Sequence, residues 1–168
     1  FDSVHAELKK VAESMPAKVD DAMNRMQFNE ALEEIWKVVR RSNKYVDETM
    51  PWVLAKDETK KDELDTVLYN LAEALRLVTV MISPLLHITA KKIFDQLSAG
   101  EEIRTYESAL SFGGLKPGTK VAKGEILFPR LDIEKELEVM ESMFKPKTQE
   151  PVKEEVETKE IIHKDEIT

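Results

Sequence analysis

One long run of apolar residues, spaced for a helix, constrains the fold of this chain more than any other feature. The run has the steps of three and four that place side chains on one helix face for about five turns: Leu64, Val67, Leu68, Leu71, Leu75, Val78 and Ile82. Leu77, Val80 and Met81 widen that face. A helix with so wide an apolar face packs on several sides, so we predict that it is the central helix of a bundle.

The ends of this helix carry recognisable signals. Thr59 to Asp62 has the spacing of a capping box, although Asp is shorter than the usual Glu. Ser83-Pro84 breaks the helix, because proline cannot continue one. A further helix is predicted from its apolar spacing, and it ends near Gly100; its apolar residues are Leu86, Ala90, Ile93 and Leu97.

Residues 1 to about 26 are predicted to form two helical pieces. The first has its apolar face on Phe1, Val4, Leu8, Val11 and Met15. Pro16 suits the first turn of a helix, so we predict that a second short helix begins there. Its apolar residues are Val19, Met23 and Met26.

The next predicted helix opens near Asn29, a favourable N-cap, and ends near Thr49, because Met50 precedes a proline. Its expected buried stripe is Phe28, Leu32, Ile35, Val39 and Val46. Trp36 lies beside this stripe and is expected in the core.

Four basic residues, Lys37, Arg40, Arg41 and Lys44, lie roughly opposite this stripe at ~100° per residue. Two interpretations remain open for them. They form a solvated helix face, or they form a ridge that faces phosphate and leads to Trp52. Trp52, which follows Pro51, likewise either plugs the core or stacks on an unpaired nucleic-acid base, an interaction that contributes ~1–3 kcal/mol.

The helical period is lost from Glu101 to Arg130, where four of the five glycines occur. This segment is predicted to be loop and turn, with an extended apolar run at residues 126–129 that lies against another surface. Asp132 is a candidate cap for a last helix through Met143, whose apolar side is Ile133, Leu137 and Met140. Residues 145–168 hold five lysines, seven acids and two prolines, which predicts a disordered linker.

Composition supports an all-α fold and excludes several functions. Charged residues make up 35% of the chain and there are five glycines, a combination typical of long helices with charged outer faces. No apolar run approaches the ~18 residues of a membrane span. The chain has no cysteine, which excludes disulfides and thiolate zinc sites and fits a reducing compartment such as the cytoplasm. Its net charge of −8 argues against sequence-independent binding of nucleic acid, DNA included.

No catalytic or metal-binding motif is present. The three histidines are scattered, and His87 is expected at the edge of the core. Glu160 and His163 form one Glu-x-x-His unit, but di-iron bundles need two such units plus further glutamates. We therefore predict that the chain itself is not an enzyme and holds no cofactor or metal.

The order of these features resembles the C-terminal anticodon-binding helical domain of methionyl-tRNA synthetases, most closely the bacterial type. The resemblance rests on residues 43–56, Asn-Lys-Tyr-Val-Asp-Glu-Thr-Met-Pro-Trp-Val-Leu-Ala-Lys, and on three later stretches, 71–76, 111–119 and 127–132. It covers residues 1–144 and implies a class I synthetase helix bundle with a glycine-containing extended segment and a C-terminal helix. It also implies that Trp52 stacks on the first anticodon base of the tRNA and that Pro51 fixes its direction.

The same resemblance implies which segments of a longer protein would lie outside this chain. The family's Asn-x-x-x-Arg anticodon-reading helix has no counterpart here, so the chain is expected to lack the first helix of the domain. The absence of an initiator Met and the abrupt end at Thr168 fit a piece of a longer protein. The catalytic domain, with ATP, Mg²⁺ and in some members Zn²⁺, would precede it, and Leu127, Phe128 and Leu131 would contact that domain. Residues 145–168 would lead to a C-terminal tRNA-binding module.

Two alternatives remain at this stage. One is the helical domain of another class I aminoacyl-tRNA synthetase, against which the Pro-Trp pair argues. The other is a non-catalytic helical scaffold that binds protein partners through residues 126–131 and buries Trp52.

Overall fold

The computed structural model describes residues 2–144, and these form helices joined by turns and irregular segments, with no strand in that range. The all-α prediction is confirmed. The helices are α1 (Asp2–Asn24), α2 (Phe28–Thr49), α3 (Pro51–Leu54), α4 (Lys61–Ile82), α5 (His87–Gln96), α6 (Tyr106–Ala109) and α7 (Ile133–Phe144). Short 3₁₀ turns lie at Glu58–Lys60 and Glu101–Ile103. The predicted linker, residues 145–168, lies outside the described residues, and so does Phe1.

Helix α4 is the centre of the bundle, as its sequence predicts. It packs against α1, α2, α3, α5 and α6. Its core side is Val67, Ala74, Leu77, Val80 and Ile82, all buried. Leu68 and Leu75 belong to the predicted face but are 49% and 43% exposed. The buried surface therefore lies around a different part of the helix than the leucine spacing alone indicates.

The signal before α4 is also different from the predicted capping box. Asp57, rather than Thr59, is the capping residue, and it caps the 3₁₀ turn that precedes α4. Its carboxylate accepts the backbone N–H of Thr59 at 3.0 Å and the Thr59 hydroxyl at 2.6 Å. A 3₁₀ turn then leads into α4 at Lys61.

The predicted break at Pro16 is wrong, because α1 runs unbroken from Asp2 to Asn24. A proline inside a helix removes a backbone hydrogen bond and costs ~3 kcal/mol or more. Burial of the side chains around it offsets that cost: Leu8, Ala12, Met15, Pro16, Val19 and Ala22 are all buried. This continuous stripe packs against α2 and α4.

The buried stripe of α2 is rotated from its predicted position. Its residues are Ala31, Ile35, Val38, Arg41, Tyr45 and Thr49. Phe28 and Trp36 are instead 48% and 44% exposed, so the expectation that they lie in the core is wrong. The small side chain of Ala31 favours close helix contact, while Arg41 and Tyr45 bury long stems whose polar ends reach Val4 and His5 on α1. Helix α2 begins one residue before Asn29, with Gln27 at the N-cap.

A buried ion pair on α4 fastens the irregular segment that follows α6. Glu73 and Arg76 are both 0% exposed, with Arg76 Nη2 lying 2.6 Å from Glu73 Oε1. The Glu73 carboxylate also accepts the backbone N–H groups of Gly113, Gly114 and Leu115 at 2.8–3.0 Å. The glycine-rich loop is therefore bound to the core by one carboxylate.

The other side of this pair holds the turns around α6. The Arg76 guanidinium donates to the carbonyls of Ile103, Ser108 and Ser111 and to the Ser108 hydroxyl, over 2.8–3.4 Å. Burial by itself would raise the pKa of the Glu73 carboxyl, but the hydrogen bonds from Arg76, Gly114 and Leu115 outweigh it. The pKa of Glu73 therefore lies below its ordinary value, and the pair is charged at neutral pH.

The chain divides into two compact units, one ending at Leu127 and the other beginning at Phe128. In the second unit, α7 forms as predicted, but Ile133, Leu137 and Met140 are all more than half exposed. In the first unit, Ile126 is 79% exposed, so it does not pack on the described part of that unit. Within residues 2–144, no helix has the length and hydropathy needed to cross a bilayer.

Candidate nucleic-acid interface

The turn between α2 and α3 determines where Trp52 lies. Met50 adopts the left-handed conformation, with φ 44° and ψ 62°, and its N–H donates to the Val46 carbonyl at 2.9 Å. This stops α2 after Thr49, as predicted. Pro51 then occupies the first position of α3, where its fixed φ suits a helix and its missing N–H costs nothing. The chain therefore changes direction over a single residue.

Helix α3 presents one residue to the core and its neighbours to solvent. Leu54 is 4% exposed, and α3 packs on α4. Trp52 is 52% exposed and Val53 is 45% exposed, while Pro51 is half-buried. Trp52 is thus not a plug of the core, and one of the two interpretations of this residue is excluded. Its indole is accessible at the surface, as stacking on a flat ligand requires.

Three of the four basic residues predicted as a ridge are exposed, and each is paired with an acid on α2. The pairs are Lys37 with Glu34, Arg40 with Glu33 at 2.6 Å, and Lys44 with Glu48 at 3.5 Å. Exposed pairs of this kind contribute ~0–1 kcal/mol. An incoming phosphate can therefore compete for these cations at little cost in stability.

Arg41 does not belong to this surface, which corrects its place in the predicted ridge. Its side chain is 6% exposed. The guanidinium lies 3.1 Å from the Glu7 carboxylate and 3.0 Å from that of Glu48, and it donates to the Val4 carbonyl at 3.2 Å. Arg41 therefore joins the start of α1 to the end of α2, and it cannot face a phosphate in this arrangement.

Tyr45, one turn further along α2, ties the same region to two other helices. Its hydroxyl lies 2.7 Å from Nδ1 of His5 on α1 and accepts a 3.2 Å hydrogen bond from Asn70 on α4. Burial raises the pKa of this hydroxyl, so it stays protonated at neutral pH. Thr49 completes the arrangement by donating to the Tyr45 carbonyl at 2.7 Å.

The contacts of Tyr45 and Asn70 and the burial of Arg41 are not predicted by the aliphatic periodicity of α2. A signal was present, since residues 31, 35, 38, 41, 45 and 49 keep strict steps of three and four. A search restricted to aliphatic residues does not find it. It becomes visible once Tyr, Arg and Thr are admitted as residues that can bury an apolar stem below a polar end.

Other features of the described residues do not form a competing site. Residues 2–144 contain no cluster of His, Asp and Glu that could hold a metal ion. A cleft of about 330 Å³ between α4 and residues 115–121 is lined mainly by apolar side chains, and Trp52 is not among them. His87 is exposed rather than at the core edge. The exposed surface around Trp52 is thus the best candidate for function.

The comparison with protein families decides the wider identity of this helix bundle. A family model described as the anticodon binding domain of methionyl tRNA ligase matches residues 3–149. The chain belongs to this family. The resemblance carried by residues 43–56 is thereby confirmed, and the comparisons favour it over another class I synthetase or an unrelated scaffold.

Individual relatives of this anticodon-binding domain agree with the family model. Methionine–tRNA ligase of Caldanaerobacter subterraneus is 53% identical over 156 residues, which are 93% of this chain and 24% of the relative. That of Clostridium perfringens is 48% identical over 162 residues, covering 96% and 24%. The chain thus spans about a quarter of the length of the curated relatives it matches.

Solved structures give the same result for the fold. Apo methionyl-tRNA synthetase of Mycobacterium tuberculosis matches with a TM-score of 0.72 and 29% identity, over 79% of this chain and 27% of that one. The same enzyme in complex with methionyl-adenylate matches with a TM-score of 0.72 and 30% identity, over 77% and 26%. The predicted synthetase-type helix bundle is therefore confirmed.

Proposed function

We propose that this chain is the part of a methionyl-tRNA ligase that binds the anticodon loop of methionine tRNA. The observation that carries the proposal is the exposed indole of Trp52, held at the start of α3 on the surface of an anticodon-binding domain. A solvent-facing tryptophan at a helix terminus offers a flat platform to a splayed-out base.

In this proposal Trp52 stacks on the first anticodon base, and Pro51 fixes the direction of α3. Stacking of one base on an aromatic side chain contributes ~1–3 kcal/mol. Lys44, Arg40 and Lys37 are the proposed phosphate contacts, since each cation is exposed and, among the described residues, is held only by an acid on the same helix. The net charge of −8 limits how much this surface gains from phosphate alone, so base stacking must supply much of the selectivity.

The chemistry of aminoacylation is assigned to a catalytic domain of the longer ligase. That domain would bind ATP with Mg²⁺ and, in some members of the family, Zn²⁺. Phe128 and Leu131 are 70% and 66% exposed and Leu127 is half-buried. We assign these three residues to contact with the catalytic domain, and we place the protein in the cytoplasm, where its tRNA substrate is used.

The test is Trp52→Ala in the full-length ligase that contains this sequence. Removing one stack should raise the KM for methionine tRNA by about 5- to 150-fold, the equivalent of ~1–3 kcal/mol. Methionine activation, followed by ATP–pyrophosphate exchange without tRNA, should stay unchanged. Trp52→Phe keeps a stacking ring and should recover most of the loss.

Trp36→Ala is the matched control, because Trp36 has a similar exposure of 44% but lies in the first half of α2. It should leave the KM for tRNA within about twofold, the scatter of an ordinary surface substitution. Unchanged aminoacylation by the Trp52→Ala enzyme would refute the role given to Trp52.

A further inference from the structure

The buried guanidinium of Arg41 is ion-paired with Glu48, which lies two residues before the turn that presents Trp52. We propose that Arg41 is a positioning residue for Trp52, which acts through Glu48 and the last turn of α2 without touching RNA. This inference rests on the proposed function of Trp52. It gives a role to a cation that contributes neither to the exposed basic surface nor to the apolar core.

The contacts of Arg41 form a short path from α1 to the turn. On one side the guanidinium donates to the Val4 carbonyl at 3.2 Å and lies 3.1 Å from Glu7, both on α1. On the other side it lies 3.0 Å from the carboxylate of Glu48. Glu48 is two residues before Met50, the left-handed residue that ends α2.

Met50 connects the last helical turn of α2 directly to α3. We therefore expect a tilt at the end of α2 to move α3 and Trp52. Backbone hydrogen bonds across this connection run from the Met50 N–H to the Val46 carbonyl, and from the Val53 and Leu54 N–H groups to the Met50 carbonyl. Trp52 faces solvent, so no core packing orients its exposed half. The backbone that carries the indole is therefore held by the end of α2 on one side and by buried Leu54 on the other.

The hydrogen bonding of Arg41 is not what a purely stabilising residue would show. Among protein atoms, Arg41 Nε and Nη1 and Glu48 Oε2 have no aligned hydrogen-bond partner, although Nη1 and Oε2 lie 3.0 Å apart. A buried charge with incomplete hydrogen bonding is costly, and replacing such a pair by apolar side chains is often neutral or stabilising. A contribution to stability therefore does not explain the Arg41–Glu48 pair, whereas a role in orienting the turn does.

The decisive experiment is a double-mutant cycle in the full-length ligase, with Arg41→Met and Trp52→Ala alone and together. Arg41→Met should raise the KM for methionine tRNA by about 3- to 10-fold, within the range of coupling between residues that act on each other. It should leave methionine activation unchanged. In the Trp52→Ala background the same substitution should have no further effect, because Arg41 acts only through the indole.

Arg40→Met is the matched control, because Arg40 is the adjacent arginine but is exposed and paired with Glu33. In the double variant, the fold-increase in KM caused by Arg40→Met should multiply the fold-increase caused by Trp52→Ala, as expected for an independent phosphate contact. Glu48→Gln tests the path itself, and it is made in a Lys44→Met background because Glu48 also pairs with Lys44. Relative to Lys44→Met alone, it should raise the KM by the same factor as Arg41→Met does, even where Arg41→Met lowers the yield of folded protein.

A second readout needs no tRNA. Trp36→Phe leaves Trp52 as the single tryptophan of the 168-residue chain. In that background Arg41→Met should lower the fluorescence anisotropy of Trp52 and increase its quenching by acrylamide, while circular dichroism keeps the helical signal. Unchanged anisotropy, or effects of Arg41→Met and Trp52→Ala that simply multiply, would overturn the positioning role. A Trp52→Ala ligase with unaltered KM would instead refute the proposed function, and the anisotropy would still decide whether Arg41 positions the indole.

Discussion

Arg76 and Arg41 are both buried in this bundle, yet their surroundings differ in almost every respect. Arg76 is 0% exposed, and its guanidinium donates to one equally buried carboxylate and to a set of fixed backbone carbonyls. Arg41 is paired with two acids that remain partly exposed, Glu7 at 55% and Glu48 at 29%. Two of its three nitrogen atoms lack an aligned hydrogen bond.

We infer from this difference that the Arg76–Glu73 pair stabilises the fold, whereas the Arg41–Glu48 pair acts mainly on the surface around Trp52. The Arg76–Glu73 pair binds the loop at residues 111–115 and the turns around α6 to α4, so several segments depend on it at once. The Arg41–Glu48 pair joins only α1 to the end of α2, close to the turn that carries Trp52. We expect the first pair to dominate stability and the second to affect binding more than stability.

The largest effect is expected from Glu73→Gln. This change keeps the size of the side chain but leaves the Arg76 charge buried without its counter-charge. Breaking a buried pair in this way costs ~3–5 kcal/mol, a large share of the ~5–15 kcal/mol that stabilises a typical domain. Urea unfolding followed by circular dichroism measures the loss, and a cost below about 1 kcal/mol would contradict the importance given to this pair.

The same pair predicts a dependence of stability on pH. Because the pKa of Glu73 is lower in the folded chain than its ordinary value of 4.5, its contribution to stability is complete above that pH. It is lost as pH falls through the folded pKa. The free energy of unfolding should therefore fall with pH below about 4.5 less steeply in Glu73→Gln than in the wild type. Equal slopes would mean that the carboxylate is not stabilised in the folded state.

A smaller loss is expected from Gly114→Ala, which tests how closely the loop approaches Arg76. A Cβ at this position would lie 2.8 Å from Cζ and Nη2 of Arg76, which cannot move without breaking its hydrogen bonds. Overpacking of this kind costs ~1–3 kcal/mol. Gly100→Ala is the control, because its Cβ would meet the flexible end of exposed Glu102. Its thermal midpoint should remain close to that of the wild type.

The surroundings of Arg76 and Arg41 also show which parts of the fold can be predicted from the sequence. The apolar period of α4 and the proline after Met50 determine a central helix and a sharp turn, because both depend on local geometry. The exposure of Trp52 could not be decided locally, since an aromatic residue at a helix end fits a core or a surface equally well. Which face of the helix is covered depends on what packs beside it.

Charged and amphipathic residues were the main source of error. Arg41 was expected to be exposed and Trp36 to be buried, and the structure has each the other way round. Glu73 and Arg76 were not singled out, because a pair three residues apart on a helix usually marks a solvated face. Only the arrival of a loop with free N–H groups, from about 40 residues further along the chain, makes burial of this pair favourable.

The smallest change in stability is expected from Arg41→Met. This substitution tests the comparison of Arg41 with Arg76 most directly. The substitution removes one hydrogen bond to Val4 and two ion pairs to acids that can turn toward water, while methionine fills much of the same volume. We expect a loss of ~0.5–1.5 kcal/mol, the net value of an ordinary hydrogen bond. Arg76→Met, measured in parallel by urea unfolding, should lose several times as much, since it leaves Glu73 buried and unpaired. Equal losses would show that Arg41 is as much a part of the core as Arg76, and its effect on tRNA binding would then have to be separated from simple unfolding.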